Sequence, residues 1–104
     1  MLLKMGVSVK CLKRDIRRAL SPIDRVYQRE AGHEAIITSG DEGTHSPSSL
    51  HYAGQAVDIA LPGTHGMVQK ATAAEVVSKL RKELGPDYDV VLERDHIHVE
   101  YDPK

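Results

Sequence analysis

The chain of 104 residues is close to the usual size of one domain and long enough for one hydrophobic core but not for two. Its 40% hydrophobic and 28% charged residues are typical of a globular protein and exclude a disordered or low-complexity chain. From the length we therefore expect a single domain over 1–104. The formal charge of −1 gives no overall attraction to nucleic acid, so we expect no nucleic-acid partner.

The first third of the chain predicts a short strand followed by helix. Gly6 to Val9 is a candidate first strand, and from Cys11 to Ala31 apolar residues recur at steps of three and four, the period of an amphipathic helix. Ser21 and Pro22 interrupt this run as an N-cap and a first helical residue would. The sequence therefore predicts two helices, or one helix kinked at the proline.

The remainder of the chain alternates strand patterns with one helix pattern. Apolar and β-branched runs predict four strands, at 34–39, 55–61, 89–93 and 96–101. Gly, Ser and Pro predict a loop over 40–49, and apolar residues at helical spacing predict a helix over 70–84 that ends before a Gly-Pro pair. Helices followed by strands interleaved with one helix indicate an α+β domain with a mostly antiparallel sheet.

Histidine is the residue type that stands out, with six copies in the chain. Cys11 is the only cysteine, which excludes an internal disulfide and a multi-cysteine zinc site. A single histidine on a strand is more often a core or surface residue, but His96 and His98 alternate along one predicted strand and so face the same side. One histidine of this strand, together with His51 and Asp58 from the earlier segment, makes three metal ligands and leaves a fourth position open, the arrangement of catalytic zinc.

The fuller motif is more specific. Ser-x-His-x-x-Gly-x-Ala-x-Asp over 49–58, followed by His-x-His over 96–98, resembles the zinc-dependent D-alanyl-D-alanine carboxypeptidases. The segments 41–46 and 49–59 are more similar still to the zinc loop of the hedgehog N-terminal signalling domain, and the resemblance runs from about Cys11 to Tyr101. It implies a small hedgehog/DD-peptidase-like α+β fold, with N-terminal helices and one later helix, in a stand-alone microbial protein.

The resemblance also implies a metal site. His51, Asp58 and His98 would hold one zinc ion per chain. His96 would line this site or orient one of the ligands through a hydrogen bond. His45 matches a histidine that lies beside the zinc in hedgehog domains, where it could stabilise an oxyanion or transfer a proton.

Hydrolysis also needs a carboxylate that takes a proton from the attacking water, and two candidates compete. Glu93 matches a glutamate of the hedgehog domain, and a two-residue turn at Arg94-Asp95 would place it directly opposite His96. Asp95, three residues before His98, has the acid-x-x-His spacing of the carboxypeptidases. Glu93 is the preferred candidate.

The chain also departs from its relatives. Carboxypeptidases of this type usually carry an arginine shortly after Ser-Gly that binds the terminal carboxylate of the substrate, but here Asp41 and Glu42 follow. We therefore expect an internal peptide bond or a blocked end to be preferred, unless Arg94 or an N-terminal arginine supplies the cation. Two acids offer fewer oxygens than calcium prefers, so we expect no calcium site.

Together these features predict a zinc metallopeptidase that hydrolyses peptide bonds, with the stem peptides or cross-links of bacterial peptidoglycan as substrate. The alternative is a non-catalytic hedgehog-like zinc domain that binds a peptide or a glycan. No apolar run reaches the ~20 residues of a membrane span, and the N-terminal segment is charged too early for a signal peptide. The resemblance implies action at the cell wall or in the periplasm.

Overall fold

The computed structural model describes residues 1–9, 12–40, 55–63 and 71–103. Within these ranges it contains five strands and two α-helices, and a π-helical segment, Tyr27–Ala31, continues the first helix. The elements are β1 (Leu2–Leu3), α1 (Arg14–Val26), β2 (Ile36–Ser39), β3 (Ala56–Ala60), α2 (Ala73–Leu84), β4 (Tyr88–Leu92) and β5 (His96–Tyr101). The predicted α+β class is confirmed.

Helix α1 runs through Pro22 without ending there. Of the two predicted arrangements the single helix is found. Ser21 is therefore not an N-cap but lies inside α1, whose N-cap is Lys13, and its hydroxyl accepts a hydrogen bond from Arg25 Nη1 at 3.3 Å. An interior proline costs a helix about 3 kcal/mol through its missing N–H and its ring. The apolar stripe is continuous on both sides of Pro22, with Ile16, Ala19, Ile23 and Val26 all buried, and this burial outweighs that cost.

The C-terminal end of the first helical run is fastened to the sheet. Gly32 ends it in the left-handed conformation, with φ of 84°, as the sequence predicts. Tyr27 is fully buried, and its hydroxyl donates a hydrogen bond to the carbonyl of Ala60 at 2.8 Å. Burial raises the pKa of this phenol. The bond ties the helix to the end of β3, the strand that also carries Asp58.

The first strand lies earlier in the chain than the sequence predicts. Leu2–Leu3 pair in parallel with β2, whereas the segment from Gly6 to Val9 is not a strand. Gly6 has φ of 88°, and the N–H of Val7 donates to the carbonyl of Lys4 at 3.0 Å, which closes a turn. Val7 and Val9 pack against the core instead, so their apolar character reflects packing and not strand pairing.

The five strands form one mixed sheet in the order β1-β2-β3-β5-β4. Only the β1–β2 pair is parallel, so the prediction of a mostly antiparallel sheet is confirmed. Strand alternation sends Val57, Ile59, Ile97 and Val99 into the core that α1 and α2 cover. The residues between them point to the opposite face, where the polar side chains of β3 and β5 lie.

Helix α2 begins three residues later than the predicted start at 70. Thr72 is its N-cap and accepts a hydrogen bond from the N–H of Glu75 at 3.2 Å, and Gly85 ends it as predicted. The side chain of Arg81 on α2 donates two hydrogen bonds, at 2.8 and 3.1 Å, to the carbonyl of Val90 on β4. In the ranges that the structure describes, neither helix combines the length and the apolar character that crossing a membrane requires.

Candidate metal centre

Three candidate metal ligands meet on the face of the sheet opposite the helices. Asp58 lies on β3 and is paired in register with His98 on β5, and His96 is two residues earlier on the same strand. Each of the three residues offers one donor atom, and these atoms lie within 4.8 Å of one another. The pairing of β3 with β5 therefore brings together residues that are about forty positions apart in the chain.

The aspartate is at the centre of this group. Asp58 Oδ1 lies 2.9 Å from His98 Nδ1 and 3.5 Å from His96 Nε2. The side chains of Asp58, His98 and His96 are 17%, 19% and 27% exposed, so they are partly desolvated but open to solvent. One oxygen and two ring nitrogens are a donor set that suits a divalent metal such as zinc.

The outward nitrogen of each imidazole is also held by a carboxylate. His96 Nδ1 lies 2.7 Å from Asp95 Oδ1, and His98 Nε2 lies 3.0 Å from Glu100 Oε1. Each ring thus turns one nitrogen toward Asp58 and the other toward an outer carboxylate. Metal-binding histidines in proteins commonly donate their second N–H in this way.

The charges of the site shift two protonation equilibria. The pKa of His98 is raised, first by its hydrogen bond to Asp58 and then by the charge of Asp58 and the hydrogen bond to Glu100, against the opposing effect of burial. The pKa of Asp95 is lowered, mainly by its hydrogen bond with His96. Without a metal, Asp58 and Glu100 therefore favour the protonated form of His98.

This shift predicts a pH-dependent stability of the metal-free protein. A histidine whose folded-state pKa is raised stabilises the fold below its unfolded pKa of about 6.5, and this contribution is lost as the pH rises through the folded value. The free energy of unfolding, measured by urea titration in the presence of a chelator, should therefore fall as the pH rises above about 6.5. His98→Gln should remove most of this fall. An equal fall in both proteins would assign the effect to other groups.

The structure places the sequence-predicted site residues as follows. Asp58, His98 and His96 are brought together, whereas His45 and His51 lie outside the described residues. The roles predicted for His45 and His51 therefore stay predictions. Asp41 and Glu42 also lie outside the described residues, so the expected absence of a calcium site and the expected preference for a blocked peptide end stay predictions as well.

The two candidate bases lie at the turn between β4 and β5. The N–H of Glu93 donates to the carbonyl of His96 at 2.9 Å, so these residues lie opposite each other, the position that the sequence predicts. Residues opposite each other in an antiparallel pair share a face, which puts Glu93 on the face of the candidate metal ligands. Asp95 is 81% exposed and its carboxylate is bound to His96.

A pocket of about 370 Å³ opens beside these residues. Its cationic wall is Lys4, which the sequence analysis did not assign to the site. Among the residues that the structure describes, no carboxylate lies within ion-pair distance of this ammonium group. The described lining consists of Lys4, Thr38, Ser39, Asp58, Ala60, Asp95 and His96.

Glu100 is the second residue that sequence reasoning missed. It follows His98 by two positions on a predicted strand, so the two-residue period would have placed it on the same face. It also lies within 4.8 Å of Asp89 and Asp102, in an acidic group at the outer side of the site. For Lys4 the sequence held no signal, because its position depends on the pairing of β1 with β2.

Comparison with known proteins does not place the chain in a family. No family model, no curated protein and no solved structure matches it. The site is therefore interpreted from its own geometry, and the donor set of one carboxylate and two imidazoles with outer carboxylates is the observation that fits a bound metal.

Proposed function

We propose that the protein is a zinc-dependent peptidase, similar to the hedgehog and D-alanyl-D-alanine carboxypeptidase proteins, that acts on peptide bonds of bacterial peptidoglycan. The observation that supports it best is the meeting of Asp58, His96 and His98 on an open face of the sheet. Action at the cell wall or in the periplasm follows from that substrate and belongs to the proposal.

Asp58 and His98 are the two ligands common to every arrangement that we consider. The resemblance adds His51 as the third, and the geometry of the described residues offers His96 in the same place. When bound, zinc polarises a carbonyl group and lowers the pKa of a water molecule toward ~7. The resemblance implies that His45, or His96 where it is not itself a ligand, donates a hydrogen bond to an oxyanion.

Glu93 is the group that we propose takes the proton from the attacking water. It lies on the ligand face opposite His96, and its side chain is exposed to the solvent from which the water comes. The carboxylate of Asp95 already accepts a hydrogen bond from His96 Nδ1 at 2.7 Å, and this bond lowers its pKa. A carboxylate with a lower pKa is a weaker base, which favours Glu93.

The pocket beside the ligands provides the place for the substrate. Its wall combines the hydroxyls of Thr38 and Ser39, which can bond a peptide group, with the ammonium group of Lys4. This cation would attract an anionic group of the substrate and would oppose the repulsion expected from the two acids at 41–42. Lys4 therefore bears directly on the preference between a free and a blocked peptide end.

Lys4→Gln should move substrate preference toward a blocked end. Two unit charges about 4 Å apart in water attract by about 1 kcal/mol, which corresponds to about a fivefold change in relative rate. We expect the ratio of kcat/KM for a stem peptide ending in carboxylate over the same peptide ending in carboxamide to fall by about that factor. Lys79→Gln, on the exposed side of α2, is the matched control. An unchanged ratio in the Lys4 variant would exclude contact with the substrate terminus.

Hydrolysis of a synthetic stem peptide tests the proposal. The zinc-loaded protein should release a fragment that a chelator-treated sample does not, and re-addition of zinc should restore the activity. If zinc binds and no peptide is cut, the protein is instead a zinc domain that binds a peptide or glycan. The engagement of Asp95 by His96 is the observation that favours this second function, because it removes one of the two candidate bases.

A further inference from the structure

Glu100 makes a contact that neither motif of the sequence includes. Its Oε1 lies 3.0 Å from Nε2 of His98, on the side of the ring away from Asp58. The two side chains are 21% and 19% exposed, so the contact is largely shielded from water. Since both ring nitrogens of His98 meet a carboxylate oxygen, the orientation of this ring is fixed from both sides.

We propose that Glu100 is a positioning residue that makes Nδ1 the metal-binding nitrogen of His98. A carboxylate can only accept hydrogen bonds, so its contact with Nε2 requires a proton on that nitrogen. Nδ1, which lies 2.9 Å from Asp58 Oδ1, meets an acceptor in the same way, so the metal-free ring favours a proton on both nitrogens. A metal bound to Asp58 would take the place of the Nδ1 proton, while Glu100 keeps the proton on Nε2. This inference rests on the proposed metal site, and it adds a residue to that site and assigns the ligating atom.

The position of Glu100 explains why it can serve this purpose. It is two residues after His98 on β5, so both side chains leave the same face of one strand, and the strand itself sets their separation. A metal shared by His98 and Asp58 would use Nδ1, because Glu100 occupies the other nitrogen. Glu100 is thus placed to orient the ligand and not to replace Asp58.

Asp95 makes a comparable contact to His96, but under different conditions. Its side chain is 81% exposed, whereas that of Glu100 is 21% exposed. A hydrogen bond in contact with water is more easily exchanged for one to solvent. The outer carboxylate that matters most for metal affinity should therefore be Glu100.

Zinc affinity gives the first test. The dissociation constant is measured by competition with a chromophoric chelator at one pH, for the full chain and its variants. Loss of an outer carboxylate typically costs 10–100-fold in metal affinity, so Glu100→Ala should weaken zinc binding by roughly this factor. The zinc affinity of Glu100→Gln should lie between those of the wild type and Glu100→Ala. Its side-chain oxygen can still accept the hydrogen bond, but its NH₂ group can also donate one, so a proton on Nε2 is no longer required. Glu83→Gln, the same change on α2, should bind zinc as the wild type does.

The protonated nitrogen gives the second test, which a merely structural role of Glu100 would not affect. Long-range ¹H–¹⁵N correlation spectra of the zinc-loaded wild type should show His98 protonated at Nε2 and bound to zinc through Nδ1. Glu100→Ala should show a mixture of both forms. A His98 bound through Nε2 in the wild type, or unchanged affinity and spectra in Glu100→Ala, would overturn the inference.

The same measurements separate this inference from the function on which it rests. If the wild type does not bind zinc, or if Asp58→Ala binds it equally well, the proposed metal site is rejected and the role of Glu100 with it. If zinc binding depends on Asp58 but not on Glu100, only the present inference fails. The spectra of the wild type decide the assignment of the nitrogen even if Glu100→Ala does not fold.

Discussion

Asp58→Ala should abolish zinc binding and the stability that zinc provides. Wild-type protein should hold about one zinc ion per chain, and a ligand present at a hundredfold excess over its dissociation constant stabilises the folded state by about 2.7 kcal/mol. For a chain of this length, that corresponds to roughly 10–20 °C in the melting temperature. The variant removes the oxygen that both histidines approach, so we expect no bound metal by elemental analysis and no shift of the melting temperature on addition of zinc.

Asp87→Ala is the matched control for this change, because Asp87 is an exposed aspartate outside the ligand group and should keep both zinc and the zinc-dependent shift. His51→Ala and His96→Ala, measured in the same way, identify the third ligand. Loss of zinc in the first variant alone supports the ligand set that the resemblance implies, and loss in the second alone supports the group seen in the described residues. Full zinc content in Asp58→Ala would contradict the site as a whole.

Glu93→Gln should keep zinc and the fold but lose most of the hydrolysis. General-base catalysis contributes about 10²–10⁴-fold to a rate, so kcat should fall within that range. Glu93 is exposed and its backbone, not its side chain, makes the bond to His96, so the substitution should leave the melting temperature unchanged. The measurement is the rate of stem-peptide cleavage at equal zinc occupancy.

Asp95→Asn distinguishes the two candidate bases. Its effect on kcat should be small by comparison, since an asparagine oxygen can still accept the hydrogen bond from His96 Nδ1. A large loss in Asp95→Asn with full activity in Glu93→Gln would transfer the role to Asp95. Full activity in both variants would reject the general-base assignment.

Most of the fold could be predicted because its signals are local. The alternation along β3 and β5 and the helical spacing of α2 each depend on neighbouring residues. The bounds of β3 and α2 lie within three residues of their predicted limits, and those of β5 coincide with them. The errors arose where packing decides. The local sequence leaves open whether Pro22 starts a second helix or lies within one, and the continuous buried stripe decides for one helix. The segment from Gly6 to Val9 is not the expected strand, and Leu2–Leu3 pair with β2 instead.

The candidate site shows the same division. The common face of His96 and His98 follows from the period of a strand, and the motif predicts Asp58 as their partner independently of the strand pairing. The same two-residue period predicts that Glu100 shares the face of His98, but neither motif includes Glu100, so its contact with His98 was not predicted. Lys4 was not predictable, because it reaches the pocket through a parallel pairing between segments more than thirty residues apart.

Digestion of purified peptidoglycan by the zinc-loaded protein, with the products identified by mass spectrometry, tests the proposed peptidase most directly. We expect fragments cut within the stem peptides or their cross-links, in amounts that rise with time and disappear in the chelated protein, in Asp58→Ala and in Glu93→Gln. Mass spectra that show intact peptidoglycan after prolonged digestion by fully zinc-occupied, folded protein would contradict the account.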